Sequence, residues 1–235
     1  MAREKPTILH EDSALLLVNK PAGWLTVPTP KGERDTLRDW ADDYLRSSGT
    51  KAYMVHRLDR ETSGVLAIAK KAKAQQALEQ QFRTHEPGRT YLALVHGTMA
   101  QKKGRLVHNL MPDPRRKGAV MVSRNRNFGQ HAALRYATLE EFGEEAALLE
   151  IAPETGRTNQ IRVQLAHEGH PIVGDRKYTK ARKWRLQARR TLLHAASLSV
   201  AHPDTKKQVS AKAPLPADFE EALAALRGEL KGGED

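Results

Sequence analysis

The chain has 235 residues, of which 39 are lysine or arginine and 28 aspartate or glutamate, so its formal net charge is +11. Such a surplus favours an anionic partner. Cysteine is absent, which excludes disulfide bonds, thiolate metal sites and cysteine nucleophiles. The longest apolar run near the start, residues 14–18, is far shorter than the roughly 20 residues that cross a bilayer, and residues 1–6 lack a signal core. We therefore expect a cytoplasmic protein without a membrane segment.

The first half of the chain alternates apolar runs with helical spacing. Three apolar runs bounded by turn residues predict strands: residues 15–18, 65–69 and 91–95. Residues 37–45 place apolar side chains on one helical face, and either Asp35 or Thr36 can cap this helix, which is expected to end near Gly49. Residues 71–82, rich in Ala, Gln and Leu, predict a second helix.

The second half is richer in strands. Five are predicted: residues 119–123, 133–139, 147–151, 192–200 and 208–211. Helices are expected at residues 158–167 and 219–226. Consecutive strands with short turns are typical of antiparallel or mixed sheets, so the expected fold class is α+β, with a mixed, mainly antiparallel sheet flanked by helices and loops. No shift in composition marks a boundary, which favours a single domain over residues 1–235 with a short polar tail at 231–235.

Positive charge is concentrated in two stretches. Residues 101–135 hold nine basic residues against Asp113, and residues 176–190 hold eight basic residues and no acid. Such runs are often solvated surface, but Tyr178 and Trp184 lie inside the second one, a pattern that favours nucleic-acid contact. Lysine and arginine mainly meet phosphates, so sequence-specific reading is not implied. Two prolines and three glycines within residues 101–130 predict a long basic insertion loop.

The most informative stretch is residues 56–64, His-Arg-Leu-Asp-Arg-Glu-Thr-Ser-Gly, directly before a predicted strand. An aspartate between two arginines, here Asp59 between Arg57 and Arg60, is often part of a salt-bridged surface turn. The alternative is an aspartate that cations keep ionised so that it acts as a nucleophile or base. The four letters HRLD do not decide between these interpretations.

The full string resembles the signature of the RluA-type pseudouridine synthases, HRLD-x-x-T-S-G opening a strand. Four further blocks are similar to family blocks and follow in family order: residues 19–23 (NKPAG), 89–97 (RTYLALVHG), 155–165 (TGRTNQIRVQL) and 169–175 (GHPIVGD). The resemblance spans nearly the whole chain and implies the pseudouridine synthase catalytic fold. Many members carry an N-terminal S4 RNA-binding domain, and we expect none here because there is no room for one before Ile8.

The resemblance implies three residues that act on the target base. Asp59 matches the catalytic aspartate, Tyr91 the tyrosine that packs against uracil, and Arg162 the arginine that pairs with the aspartate. Without the motif, Tyr91 is an ordinary strand aromatic and Arg162 a solvated helix-face arginine.

Four further positions are expected to contact substrate RNA. Arg57 matches the arginine that enters the RNA where the target base has left, and Leu193 matches an apolar residue that closes the pocket, although it also suits a core position. His56 and Arg157 lie in the same matching blocks.

Three positions depart from the family pattern. Asn159 and Gln164 stand where the family usually has histidine, and Arg89 replaces lysine. Asparagine and glutamine form hydrogen bonds but do not titrate near neutrality, so proton transfer at those two positions is excluded. None of the three departures removes a residue assigned to bond-making.

The implied reaction breaks the N1–C1′ bond of a uridine, turns the base and rejoins it through C5. The product is an isomer, so no cofactor and no metal ion are expected. The implied partner is rRNA or tRNA, with no obligate protein partner, and the protein is expected to be a monomer. Two alternatives remain at this point. One is a catalytically silent RNA-binding module, and the other is a glycosidase or nuclease with Asp59 and Asp175 as paired carboxylates.

Overall fold

A computed structural model describes residues 3–125, 127–179 and 184–228. The chain divides into two compact units. The first unit comprises residues 1–91 and 194–214, and the second comprises residues 92–193 and 215–235. Composition did not indicate this division. That the chain acts as one catalytic domain stays a prediction, and the polar tail at 231–235 lies outside the described residues.

In chain order the elements are β1 (Thr7–Glu11), β2 (Leu15–Lys20), α1 (Leu37–Leu45), β3 (Tyr53–Met54), β4 (Ser63–Ala69), α2 (Ala72–Arg83), β5 (Gly88–His96), β6 (Lys103–Pro112), β7 (Val120–Val122), β8 (Gln130–Phe142), β9 (Ala146–Pro153), α3 (Gln160–His167), β10 (Leu193–Ala201), β11 (Gln208–Lys212) and α4 (Ala217–Arg227). The predicted α+β class, with a mixed and mainly antiparallel sheet, is confirmed. Among the described residues, no helix is both long and apolar enough to span a bilayer.

The sheet of the first unit is built around β4, whose seven residues are all buried. β2 and β3 pair with β4 antiparallel, β1 pairs with β2, β10 runs parallel to β4, and β11 pairs with β10. Odd-numbered residues of β2 and β4 pack in a cluster with α2, and even-numbered residues pack in a cluster with α1. Because both faces are covered, these strands appear in the sequence as continuous apolar runs.

The first helix begins and ends as its flanking residues predict. Thr36, rather than Asp35, is the cap: its hydroxyl oxygen accepts from the Asp39 amide at 3.3 Å, and the Asp39 carboxylate accepts from the Thr36 amide at 2.9 Å. This reciprocal pair is a capping box. A short 3-10 turn follows α1, and Gly49 in the left-handed region, with φ of 66°, ends it.

In the second unit, β9, β8, β6 and β7 form an antiparallel sheet in that order. Helix α4 packs Phe219 and Leu223 into an apolar cluster with Leu94 and Leu148. Helix α3 packs through Val163 against β6 and β8, where its neighbours include Leu110 and Ala132. Each of the two helices therefore covers apolar side chains from the strands of this unit.

The predicted loop over residues 101–130 is wrong. The stretch contains β6 and β7, and β6 pairs residue by residue with β8 from Lys103↔Ala137 to Leu110↔Gln130. Pro112 is the last residue of β6 and Pro114 lies in the following turn, so the prolines mark an end and not an interruption. Strands β1 and β3 were also missed, because β1 is mostly exposed and β3 has only two residues.

Candidate active site

The HRLD turn is held by backbone bonds in the first unit. The Leu58 amide donates to Thr26 Oγ1 at 3.2 Å, and the Thr26 hydroxyl donates to the Leu58 carbonyl at 2.9 Å. The Arg60 carbonyl accepts from the Gly23 amide at 2.7 Å, and the Thr62 amide donates to the Asp59 carbonyl at 3.1 Å. The position of Asp59 is therefore set by main-chain contacts on both sides of it.

Lys20, in the NKPAG block, contacts the HRLD turn. Its side chain is fully buried, and Nζ donates to the carbonyl oxygens of Pro21 and Trp24, each at 3.0 Å, and of Arg60 at 3.4 Å. A buried ammonium is tolerated when its donors are used in this way. The lysine thus joins the NKPAG turn to the HRLD turn, a role that the sequence motif did not indicate.

Asp59 and Tyr91 interact electrostatically within the first unit. Tyr91 packs against the cluster that contains Leu58 and Leu66. Burial raises the pKa of the Tyr91 phenol, an effect that nearby Arg89 opposes and the Asp59 carboxylate reinforces. The Tyr91 ring is therefore neutral at physiological pH. The structure places a carboxylate, a neutral aromatic ring and the cation of Arg89 in one local site.

His56 links the turn to the sheet. Its Nε2 accepts from the Ala67 amide at 2.9 Å, and the ring stacks on Phe82 with centroids 4.2 Å apart. Burial, assisted by the positive charge of Arg89, lowers the pKa of His56 to about 3. The imidazole is therefore neutral, with its hydrogen on Nδ1. Its contact with RNA stays a prediction.

We expect His56 to make folding stability sensitive to acid. Because its folded-state pKa is about 3 against an ordinary 6.5, its contribution is present above pH 6.5 and is lost as the pH falls towards 3. Between pH 7 and pH 5, the wild type should lose about 2 kcal/mol more unfolding free energy than His56→Gln, whose amide oxygen can still accept from Ala67. Urea unfolding at both pH values measures this difference. Equal losses in the two proteins would contradict it.

The Ser-Gly end of the motif is explained by the parallel pairing of β4 with β10. Ser63 Oγ lies 2.9 Å from His194 Nδ1, and His194 Nε2 lies 3.2 Å from the Ala213 carbonyl oxygen. Gly64 has φ of +113°, and a Cβ there would lie 2.2 Å from the Ala195 carbonyl oxygen. Only glycine fits this backbone conformation and this approach.

Arg162 lies in the second unit, on α3, and is buried. Its Nε and NH2 donate to the two Asp175 oxygens at 2.7 and 2.8 Å, with 10% of the Arg162 side chain and 0% of the Asp175 side chain exposed. A third donor, NH1, reaches Asn159 Oδ1 at 3.2 Å. The alternative of a solvated helix-face arginine is wrong. Its pairing with Asp59 stays a prediction.

Both carboxylate oxygens of Asp175 accept hydrogen bonds. Besides the guanidinium, its Oδ1 accepts from the amides of Lys177 and Tyr178 at 2.9 and 3.2 Å. A carboxylate held by four donors is suited to positioning Arg162 and poorly suited to serving as an acid, base or nucleophile. This arrangement gives no support to the paired-carboxylate alternative.

Two of the departures from the family pattern have local structural roles. Asn159 adopts φ of 51° immediately before α3, a conformation that asparagine tolerates better than most residues. Its Nδ2 also donates to the Tyr178 hydroxyl at 3.0 Å. Gln164 is buried, and its Nε2 lies within hydrogen-bond distance of the Leu106 and Ala132 carbonyl oxygens and of His108 Nδ1.

The remaining predicted contacts are divided between the units. Arg57 is exposed in the first unit. In the second unit, Arg157 is half-buried, with Nε donating to the His131 carbonyl at 2.9 Å, and Leu193 is 4% exposed as the first residue of β10. The proposed contacts of these three residues with RNA stay predictions.

The positive charge of residues 101–135 is partly neutralised by acidic side chains that lie close in space but not in the sequence. Arg105 and Arg135 both pair with Glu154, and Lys102 pairs with Glu141. Glu141 lies on β8 and Glu154 directly follows β9, and both lie beyond residue 135 in the chain. Part of the apparent excess charge of residues 101–135 is therefore compensated by these two side chains.

The comparisons with known proteins agree with this fold and these motifs. The structure of human RNA Pseudouridylate Synthase Domain Containing 4 matches with a TM-score of 0.76 and 25% identity, over 94% of this chain and 92% of that one. The family model described as RNA pseudouridylate synthase matches residues 14–167. Fold and motifs together define an enzyme of the pseudouridine synthase class.

Two relatives in sequence show to which family within this class the chain belongs. The chain is 36% identical over 213 residues to the dual-specificity RNA pseudouridine synthase RluA of Escherichia coli K12, covering 90% of this chain and 93% of the relative. It is 37% identical over 215 residues to the uncharacterized RNA pseudouridine synthase YhcT of Bacillus subtilis, covering 90% of this chain and 69% of that one. The chain belongs to the RNA pseudouridine synthase family, in its RluA type, and is an isomerase that acts on RNA.

Proposed function

We propose that the protein converts a specific uridine to pseudouridine in structured rRNA or tRNA, with Asp59 as the catalytic carboxylate. The proposal rests on the position of Asp59, at a turn fixed by backbone bonds, near enough to Tyr91 for its carboxylate to help raise the pKa of the phenol. The target nucleotide must leave its stack, because neither C1′ nor C5 is accessible inside a helix. A neutral aromatic ring offers the uracil a face to stack on.

The bond changes need only a carboxylate and the base itself. Asp59 acts on the ribose, by attack at C1′ or by removal of a sugar proton, and the N1–C1′ bond breaks. The released uracil turns within the pocket and C5 bonds to C1′, as the Asp59–C1′ bond breaks or the removed proton returns to the sugar. C5 then loses its hydrogen as a proton, and N1 gains one. No atom is gained or lost overall, so the reaction consumes no water, electron or phosphate. Both routes require the ionised form of Asp59.

The other matching residues have supporting roles in this proposal. Arg162, oriented by the buried carboxylate of Asp175, is the arginine that pairs with Asp59 in this proposal. Arg57, which is exposed, fills the gap that the flipped base leaves in the RNA, and Leu193 closes the pocket. His56 and Arg157 contact the bound RNA, His56 as a neutral ring.

The names of relatives support the substrate class. The ribosomal large subunit pseudouridine synthase C of Vibrio cholerae is 36% identical over 227 residues, covering 94% of this chain and 69% of that one. The net charge of +11 suits a polyanion. We propose that the enzyme acts as a monomer on rRNA or tRNA in the cytoplasm, where these RNAs are found.

Tritium release from RNA labelled at uracil C5 tests the proposal, because C5 loses its hydrogen when it bonds to C1′. The substrate is bulk rRNA or tRNA from cells that lack this protein. We expect release by the wild type, with RNA length unchanged and no free uracil. Tight binding without release would indicate a silent binding module. Free base or cleaved strands would indicate hydrolysis by paired carboxylates.

A further inference from the structure

Two imidazoles and a carboxylate converge in the second unit, apart from the residues assigned to catalysis. His108 lies on β6, His167 is the last residue of α3, and Glu168 follows it as the C-cap. One ligand atom of each lies within 4.8 Å of the other two. We propose that these three side chains bind a divalent transition-metal ion of the zinc type, which ties β6 to the end of α3.

The donor set selects this class of ion. Two imidazole nitrogens with one carboxylate oxygen suit Zn²⁺, Co²⁺ and Ni²⁺, whereas Mg²⁺ and Ca²⁺ prefer oxygen ligands alone. Donors bound to zinc at about 2.0–2.2 Å in a tetrahedron lie roughly 3.3–3.6 Å apart. His108 Nε2 and Glu168 Oε1 are already 2.9 Å apart. An ion can therefore take the place of the hydrogen between them if the two atoms move apart by a few tenths of an ångström.

The third ligand and the helix end complete the arrangement. His167 is exposed and meets His108 edge to face, with ring centroids 5.0 Å apart, and its ligand nitrogen already lies within 4.8 Å of the other two ligand atoms. The C-terminal end of a helix carries partial negative charge and favours a cation there. Glu168 supplies a full negative charge at the same place.

Gln164 provides a partner for the opposite nitrogen of His108. When Nε2 binds a metal, Nδ1 carries the hydrogen and needs an acceptor. The Gln164 amide is 3.1 Å from Nδ1, and its Oε1 is a buried oxygen without a hydrogen-bond partner among the described residues. Turning the amide presents Oε1 to Nδ1–H. It also gives up the bonds of Nε2 to the Leu106 and Ala132 carbonyls, at 3.2 and 3.3 Å, and turns Oε1 towards those two oxygens, a cost that metal binding must exceed.

A cleft gives the ion access and leaves room for water ligands. It has a volume of about 770 Å³, and its lining includes His108 and His167 together with Ser123 and His131. His131 belongs to the cleft but not to the three-residue cluster. It therefore offers a matched control for any effect of removing an imidazole from this surface.

The test is a titration of the full-length protein, first stripped with a chelator, with Co²⁺ followed by visible absorption and with Zn²⁺ as competitor. We expect one ion per chain. At Zn²⁺ a hundredfold above its Kd, the folding equilibrium constant should rise about 100-fold. His167→Ala, a change at an exposed position, should weaken binding at least tenfold, and Glu168→Gln should also weaken it. His131→Ala should bind as the wild type does.

Any one of four results would overturn the proposal. The first is the absence of saturable Co²⁺ binding, and the second is equal affinity in the wild type and His167→Ala. The third is an equal loss of Co²⁺ affinity in His131→Ala and His167→Ala, and the fourth is displacement of Co²⁺ by Mg²⁺ at similar concentration. None of these measurements depends on RNA modification, so the metal site and the proposed function fail or hold separately.

Discussion

Asp59→Asn is expected to reduce tritium release from C5-labelled RNA by about 10⁴-fold. The amide has nearly the same shape as the carboxylate but neither attacks C1′ nor accepts a proton from the sugar. The turn around residue 59 is held through the main chain of Leu58, Arg60 and Thr62, so the variant should remain folded. Its RNA affinity should stay within a few-fold of the wild-type value.

Asp43→Asn is the matched control for this change. Asp43 is a carboxylate on α1 that is 67% exposed and pairs with the neighbouring Arg46 on the surface. Removing the same charge there should leave release within about twofold of the wild type. Activity of Asp59→Asn above a tenth of the wild type, or an equal loss in both variants, would show that Asp59 is not the catalytic carboxylate.

Asp175→Ala is expected to lower the free energy of unfolding by about 3–5 kcal/mol. The change leaves the buried guanidinium of Arg162, 10% exposed, without its carboxylate. It also removes the acceptor of the Lys177 and Tyr178 amides. Urea unfolding followed by circular dichroism measures the loss.

The pair of Arg227 with Glu140 provides the comparison for this prediction. It has the same two-point geometry, at 2.9 and 2.6 Å, but both side chains are more than a third exposed. Water replaces such contacts when one partner is removed, so Glu140→Ala should cost far less than Asp175→Ala. Equal costs would show that the burial of Arg162 and Asp175 does not determine the energetics of their pair.

Local patterns in the sequence were sufficient for most elements of the fold. Thr36 followed by Asp39 marks the start of α1 because the two side chains satisfy each other's amides within four residues. The apolar runs 15–18 of β2 and 65–69 of β4 predicted strands because both faces of these segments are buried, which favours apolar side chains at consecutive positions. All four predicted helices are present.

The motifs also identified the family and the turn that carries Asp59. The residues of the HRLD string and of its companion blocks, and the order of these blocks along the chain, can be obtained from the sequence without a structure. The conformational reasons for several letters, such as Gly64 against the backbone of β10, could not be obtained from that order. They depend on a strand about 130 residues further along the chain.

Contacts between distant segments were decided only by the tertiary structure. Residues 101–130 were predicted to form a loop because of their prolines and glycines, whereas their pairing with β8 makes most of them strand. Their charge appeared unbalanced along the chain, whereas Glu141 and Glu154 reach it across paired strands. Likewise, the fully buried Lys20 is stabilised by the Arg60 carbonyl 40 residues away, and Arg162 by Asp175. The sequence by itself determined the local elements and the motif residues, because these depend on neighbours in the chain. Which charges are paired and which are buried follows from distances in space, and only the folded structure sets those distances.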